Sequence, residues 1–159
     1  MTLEQTIGHI LEEKKLIIGL AESCTGGLIS HRITNVPGSS AYFEAGLVTY
    51  GNRAKTRFLL VPEDAIAQNG AVSAIVAELM AKGVRERAGV GIGLSTTGIA
   101  GPTGGSKDKP VGTVFMGLAA SEGVYVRKHL FDGDRLRIKE QASEEALLML
   151  LDYLKGRPL

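Results

Sequence analysis

A serine, a cysteine and a threonine stand in succession at Ser23-Cys24-Thr25, with Gly26 and Gly27 behind them. The stretch follows an apolar run, Leu16 to Ala21, and precedes an amphipathic one, Leu28 to Ile33, which puts two hydroxyls and a thiol at a strand-to-helix turn. Backbone N–H groups at a helix N-terminus lack intrahelical partners, and the helix dipole favours negative charge there. In that setting Ser23 reads as a nucleophile, with the N–H groups around Thr25 to Gly27 holding the oxyanion that its attack creates. A plain helix cap fits the same residues, a hydroxyl accepting backbone N–H bonds and glycine allowing the tight turn. Cys24 is the rival nucleophile, because a thiol at a helix N-terminus can have a depressed pKa; its side chain is expected to point away from that of Ser23.

A serine hydroxyl needs a neighbour to take its proton. Tyr50-Gly51-Asn52-Arg53-Ala54-Lys55 reads as a strand end running into a helix, and Lys55, one turn inside, can reach back to the strand edge. A partly buried lysine held neutral by desolvation, or by nearby positive charge such as Arg53 or Arg57, can act as the base. Taken alone, without its neighbours, Lys55 better suits a solvated helix position. His9, His31 and His129 fall on separate elements and suit surface or packing positions. The loop Gly98-Ile99-Ala100-Gly101-Pro102-Thr103-Gly104-Gly105-Ser106-Lys107 has the glycine content of a phosphate loop but neither common fingerprint: the order Gly105-Ser106-Lys107, with Pro110 soon after, is not Gly-Lys-Ser/Thr opening a helix. It reads either as a mobile surface loop or as a stretch where backbone can approach a ligand, flanked by Lys107 and Lys109 and followed by Thr113. One Cys, dispersed His and no paired acidic motif give no metal-ligand spacing.

These residues must be positioned by elements the pattern predicts. Leu3, Ile7, Ile10 and Leu11 share a helical face, with Thr2 and Gln5 spaced as a capping box. Strands are expected at Leu16 to Ala21, Ala45 to Tyr50, Val90 to Ser95, Val111 to Ala119 and Val124 to Phe131. The Ser121-Glu122-Gly123 connection makes the last two an antiparallel hairpin, so one strand is reversed. Helices are expected from Leu28 to Ile33, from an Asn52 cap through Leu59, briefly after Pro62, behind a Ser73 cap, and from Leu136 to Leu154. The sum is a single-domain, three-layer α/β/α fold with a mixed, mostly parallel five-stranded sheet. In such sheets ligands bind beyond the carboxyl ends of the parallel strands, where the Ser23 turn, Tyr50-Gly51-Asn52 and the Thr96–Gly105 loop converge.

Composition narrows the class. With 18 basic against 17 acidic residues and few aromatics, neither a nucleic-acid partner nor a membrane is expected. A single cysteine excludes an internal disulfide, and the absence of a charged leader before an apolar segment predicts a cytoplasmic protein.

Ala21-Glu22-Ser23-Cys24-Thr25-Gly26-Gly27, Pro37-Gly38-Ser39-Ser40, Val48-Thr49-Tyr50-Gly51-Asn52 with Lys55, Gly70-Ala71-Val72-Ser73, Gly98-Ile99-Ala100-Gly101-Pro102 with Gly104-Gly105, Lys109-Pro110-Val111-Gly112-Thr113 and Gly133-Asp134-Arg135 together resemble, in order and over nearly the whole chain, the CinA C-terminal domain family. The resemblance implies a nicotinamide mononucleotide amidase without the molybdopterin-binding-like N-terminal domain of longer members. It implies Ser23 as nucleophile, Lys55 as base and Tyr50 as a third catalytic group that relays or orients the proton. Thr25, Gly26, Gly27, Ser40, Asn52, Gly98, Ala100, Gly101, Gly104, Gly105, Lys109 and Arg135 are the implied substrate contacts. A small-molecule pyridine nucleotide partner and a homodimer are implied as well, and no cofactor is expected. Two positions depart from the family pattern: Gly51 stands where Ser is frequent, and Lys139 where Arg is common, which leaves the phosphate anchor open among Arg135, Lys109 and Lys139. A non-catalytic nucleotide-sensing module is the alternative function.

Overall fold

Thr2 accepts the Gln5 N–H at 3.2 Å while Gln5 Oε1 accepts that of Thr2 at 2.8 Å, the reciprocal cap read from the sequence, and helix α1 (Leu3–Lys14) follows. In the computed structural model, which describes residues 1–159, five strands and five further helices succeed it: β1 (Ile18–Glu22), α2 (Leu28–Thr34), β2 (Phe43–Val48), α3 (Asn52–Leu59), α4 (Glu63–Asn69), α5 (Ala74–Ala88), β3 (Ile92–Gly98), β4 (Thr113–Ala120), β5 (Gly123–Leu130) and α6 (Arg135–Leu154). The sheet order is β2-β1-β3-β4-β5. Strands β1, β2 and β3 are mutually parallel, while β4 runs against both β3 and β5. This is the mixed, mostly parallel five-stranded sheet expected, with the single reversal where the short hairpin required it.

Helices α1, α2 and α6 pack on one face, and α3, α4 and α5 on the other. The larger core lies under the first group, with Ile7, Leu11, Ile29, Leu147 and Leu150 against Leu20, Leu94 and Leu118. The smaller lies under the second, where Val76, Met80 and Val84 of α5 meet Ala21 and Leu59. Helix α5 can sit so close because Gly93 and Gly117 face it: a Cβ on either would collide with the carbonyl oxygen of Ala81 or Ala77. No helix is long and apolar enough to cross a membrane.

Four boundaries differ from the expected ones in ways that matter for the site. Leu16 and Ile17 do not open β1, because Lys15 turns left-handed (φ 53°) and Leu16 N–H bonds back to Leu11 O at 2.9 Å, closing α1. Strand β1 instead runs on through Glu22, and β3 through Gly98. Asn52 does not cap α3; the cap position is Gly51, in extended backbone, and Asn52 is the first helical residue.

Candidate active site

The carboxyl ends of the three parallel strands lie side by side, with Glu22 paired to Val48 on one flank and to Thr96 on the other. Ser23 is the first residue beyond β1, and its N–H continues the ladder to Thr96 O at 3.0 Å. Tyr50 follows β2 and Gly98 ends β3. A cavity of about 250 Å³ opens at this junction. Of the residues expected at a site, Ser23, Tyr50, Asn52, Lys55, Gly98, Ala100, Gly101, Gly104 and Arg135 line it.

Lys55 lies in the first turn of α3 and is only 1% exposed. Its Nζ is 3.0 Å from Ser23 Oγ, 2.8 Å from Thr49 O and 3.2 Å from Tyr50 O. Burial lowers its pKa from 10.5 to about 8, and neither Arg53 nor Arg57 contributes. The Arg57 guanidinium stacks over Phe58 instead. A neutral amine has two protons and one lone pair. With the two carbonyls taking the protons, the lone pair faces Ser23 Oγ.

The turn after Ser23 is organised by a residue to which the sequence reading assigned no role. Glu22, itself buried, accepts from Thr25 Oγ1 (2.6 Å), Gly27 N (3.1 Å), Ile29 N (3.1 Å), Ser30 N (2.8 Å) and Ser30 Oγ (2.7 Å). The N–H of Gly26 is also spent, on Ser23 O at 3.0 Å. This corrects the expected oxyanion donors, since Gly26 and Gly27 have no N–H to offer and the Thr25 hydroxyl is shared between Glu22 and Thr96 Oγ1 (2.8 Å). In the turn itself, the Cys24 and Thr25 N–H groups are the ones without a partner in the protein. Cys24 is no better a nucleophile for its position. Its thiol is buried and pushed up to about 12, mainly by desolvation and secondarily by the Glu22 charge. Its Sγ packs where Gly98 lacks a side chain, 3.1 Å from the point a Cβ there would occupy.

On the far wall Arg135, first residue of α6, donates to Gly101 O at 2.8 Å and to the Tyr50 hydroxyl at 2.7 Å. The hydrogen bond of the Tyr50 hydroxyl is thus to Arg135; Tyr50 reaches Lys55 through its main-chain carbonyl. Between them the loop carries a cis Gly101–Pro102 peptide and left-handed Gly101 and Gly104. The N–H groups of Ala100, Gly101, Thr103 and Gly104 have no protein partner, and all four residues line the cavity.

Several expected contacts lie elsewhere. Ser40 sits in the 3-10 turn Ser39–Ala41 before β2, at the opposite end of the parallel strands. Lys109 Nζ closes the end of α4 on Asn69 O at 2.7 Å. Gly105 turns against the Val111 backbone, and Thr25, Gly26 and Gly27 line a separate groove between α2 and α6 with Lys139. Conversely, Ala71, Val72, Thr97, Ile99 and Thr103 line the cavity without having been singled out. Adjacency to Gly98 and membership of the Gly70–Ser73 motif were the signals present in the sequence. Thr97 bonds Ala71 O at 2.8 Å and so ties those two segments together.

A family model described as the CinA C-terminal domain matches residues 1–154. A CinA-like protein of Syntrophus aciditrophicus is 51% identical over 154 residues, covering 96% of this chain and 37% of that protein. One from Geobacter sulfurreducens is 51% identical over 158 residues, covering 99% and 37%. The chain therefore spans somewhat over a third of the length of the curated relatives it matches. Among solved structures, a CinA superfamily protein from Klebsiella pneumoniae superposes with a TM-score of 0.93 at 28% identity, covering 97% of this chain and 96% of that one. The competence/damage inducible protein CihA from Agrobacterium tumefaciens does so at 0.90 and 39% identity, covering 96% and 93%.

Proposed function

The chain belongs to the CinA C-terminal domain family, and on that premise we propose that it hydrolyses the carboxamide of nicotinamide mononucleotide, giving nicotinate mononucleotide and ammonia. The observation that carries this reading is the buried Nζ of Lys55, 3.0 Å from Ser23 Oγ and bonded to two carbonyls, so that loss of the proton on the Ser23 side turns a lone pair toward the hydroxyl. Ser23 Oγ bonds to the amide carbon as its proton passes to Lys55 Nζ and the carbonyl oxygen takes up the charge. The intermediate collapses with cleavage of the C–N bond, and Lys55 returns the proton to the departing nitrogen, which leaves as ammonia. Water then attacks the acyl ester as Lys55 takes its proton; the ester bond breaks, Lys55 gives that proton to Ser23 Oγ, and the acid leaves and ionises to the carboxylate.

The Cys24 and Thr25 N–H groups are the oxyanion donors of this scheme. Tyr50 holds Lys55 by its carbonyl, walls the cavity with its ring and presents Arg135. The ribose phosphate is received by Arg135 and the unpaired N–H groups of the Ala100–Gly104 segment, a planar fork and a backbone nest that suit a phosphate. Lys109, held on Asn69 O, and Lys139, in the separate groove beside Gly26, are not its anchors. The same reading takes the chain as a cytoplasmic homodimer, for which exposed Val48, beside Gly27, and Leu136 offer apolar surface to bury.

Ammonia release from nicotinamide mononucleotide, nicotinamide riboside and intact NAD tests the reading. Turnover should be strongest with the mononucleotide and fall by roughly 10³-fold or more in Ser23→Ala. Binding of the mononucleotide without ammonia production would favour a nucleotide-sensing module instead.

A further inference from the structure

Glu22 does more than an ordinary helix cap. Capping residues stand one position before a helix and satisfy one or two N–H groups. Glu22 lies in β1, is 1% exposed, and fills both carboxylate oxygens with five donors drawn from the turn and from α2. Three of these are main-chain N–H groups of Gly27, Ile29 and Ser30, the donors that would otherwise compete for a developing anion. A fourth is the Thr25 hydroxyl, which Thr96 Oγ1 grips from β3 at 2.8 Å. Thr25 is thereby clamped between two strands of the sheet, and its own N–H and that of Cys24 are left unpaired directly after Ser23.

Resting on the reading of Ser23 as the nucleophile, we infer that Glu22 is the positioning residue of the oxyanion site. Its carboxylate diverts the donors of α2 and, through Thr25, holds the Cys24 and Thr25 N–H groups toward the oxygen of the carbonyl that Ser23 attacks. Glu22 touches no substrate in this role. Nor is its charge among the influences on the Lys55 pKa, so it acts on geometry and leaves the base unchanged.

Glu22→Gln is the direct test, because main-chain N–H donors face both oxygens. Whichever way the amide is turned, its NH₂ meets an N–H that cannot rotate away. The variant, verified as folded by its thermal transition, should lose about 10²- to 10³-fold in kcat, the range for a misplaced oxyanion donor. KM for nicotinamide mononucleotide and the acid limb of the pH profile should stay in place. A folded variant with kcat within threefold of wild type overturns the inference, and so does a kcat loss accompanied by a shift of the acid limb. Should Glu22→Gln not fold, Thr25→Val, which keeps the side-chain volume and removes only the hydroxyl link, replaces it. It should lose about tenfold or more in kcat at unchanged KM, and wild-type turnover there overturns the inference.

Intact-mass measurement of Ser23 modification by an alkyl fluorophosphonate separates this claim from the substrate assignment. In that reaction the serine oxygen bonds to phosphorus, the proton goes to Lys55 and fluoride leaves, with the phosphoryl oxygen in the oxyanion site. Slower labelling in the variants supports the role of Glu22 even if the mononucleotide is not turned over. Equal labelling overturns it even if the mononucleotide is. A wild-type protein that neither labels nor turns over removes the Ser23 reading itself, and the inference with it.

Discussion

A lysine whose three possible bonds go to Thr49 O, Tyr50 O and Ser23 Oγ can lose one proton usefully, the one on the Ser23 side. With its pKa brought down to about 8 by burial, roughly a tenth of the molecules hold the free amine at pH 7. The quotient kcat/KM should therefore climb close to tenfold per pH unit well below 8 and level off above it, as ammonia release across pH 6 to 9.5 would record. Lys55→Arg should not restore activity, because a guanidinium stays protonated throughout that range. At the neighbouring position, a thiol raised to about 12 predicts slow alkylation by iodoacetamide at pH 8 and near-normal turnover in Cys24→Ala. The pairing of Ser23 with Lys55 was legible in the spacing of strand ends and helix starts. The fate of the Gly27 N–H was not, since a side chain folding back from Glu22 leaves no periodic trace.

Among the elements, the end of β3 and the start of α6 carry the site. Gly98 closes β3 where a Cβ would come within 2.9 Å of Thr113 O, 2.6 Å of a Val114 methyl and 3.1 Å of Cys24 Sγ. Gly98→Ala should accordingly lower unfolding stability by about 1–3 kcal/mol in urea denaturation, the cost of forcing atoms into a packed region. Helix α6 begins at Arg135 because the Asp134 side chain accepts the Arg137 N–H at 2.9 Å, and that start delivers the guanidinium to Gly101 O and Tyr50. If Arg135 holds the phosphate, Arg135→Ala should raise KM for the mononucleotide about 10- to 100-fold, the equivalent of a charged hydrogen bond. It should leave that for the riboside little changed. The reversed β4 strand was readable from the short Ser121-Glu122-Gly123 stretch, whereas the extension of β1 and β3 by polar residues was not. Ser95, Thr96 and Thr97 qualify as strand only because each hydroxyl finds a buried partner.

For the whole molecule, Lys55 sets an energetic conflict between folding and function. Its folded pKa of about 8 lies below the ordinary 10.5, so between those values the unfolded chain binds a proton that the native state does not. Stability from this group rises with pH across that window; below it the full burden of a buried ammonium persists, and above it none remains. Lys55→Met, inactive in the ammonia assay, should melt at or above the wild-type temperature at pH 6–7. The difference should shrink as pH climbs from 8 toward 10.5, as paired calorimetric scans would register.

Local signals were enough for the layer order, the caps at Thr2 and Ser73, the one reversed strand, and the gathering of Ser23, Tyr50, Lys55 and Gly98 at one edge. Each follows from periodicity, turn chemistry and the rule that parallel strands present their carboxyl ends together. Tertiary structure alone decided that Lys55 is buried, that Glu22 absorbs the donors of α2, that the Tyr50 hydroxyl accepts from Arg135, and that Ser40 and Lys109 stand away from the cavity. These outcomes depend on which groups compete for the same hydrogen bonds across distant segments, and that competition is settled only when the chain has packed.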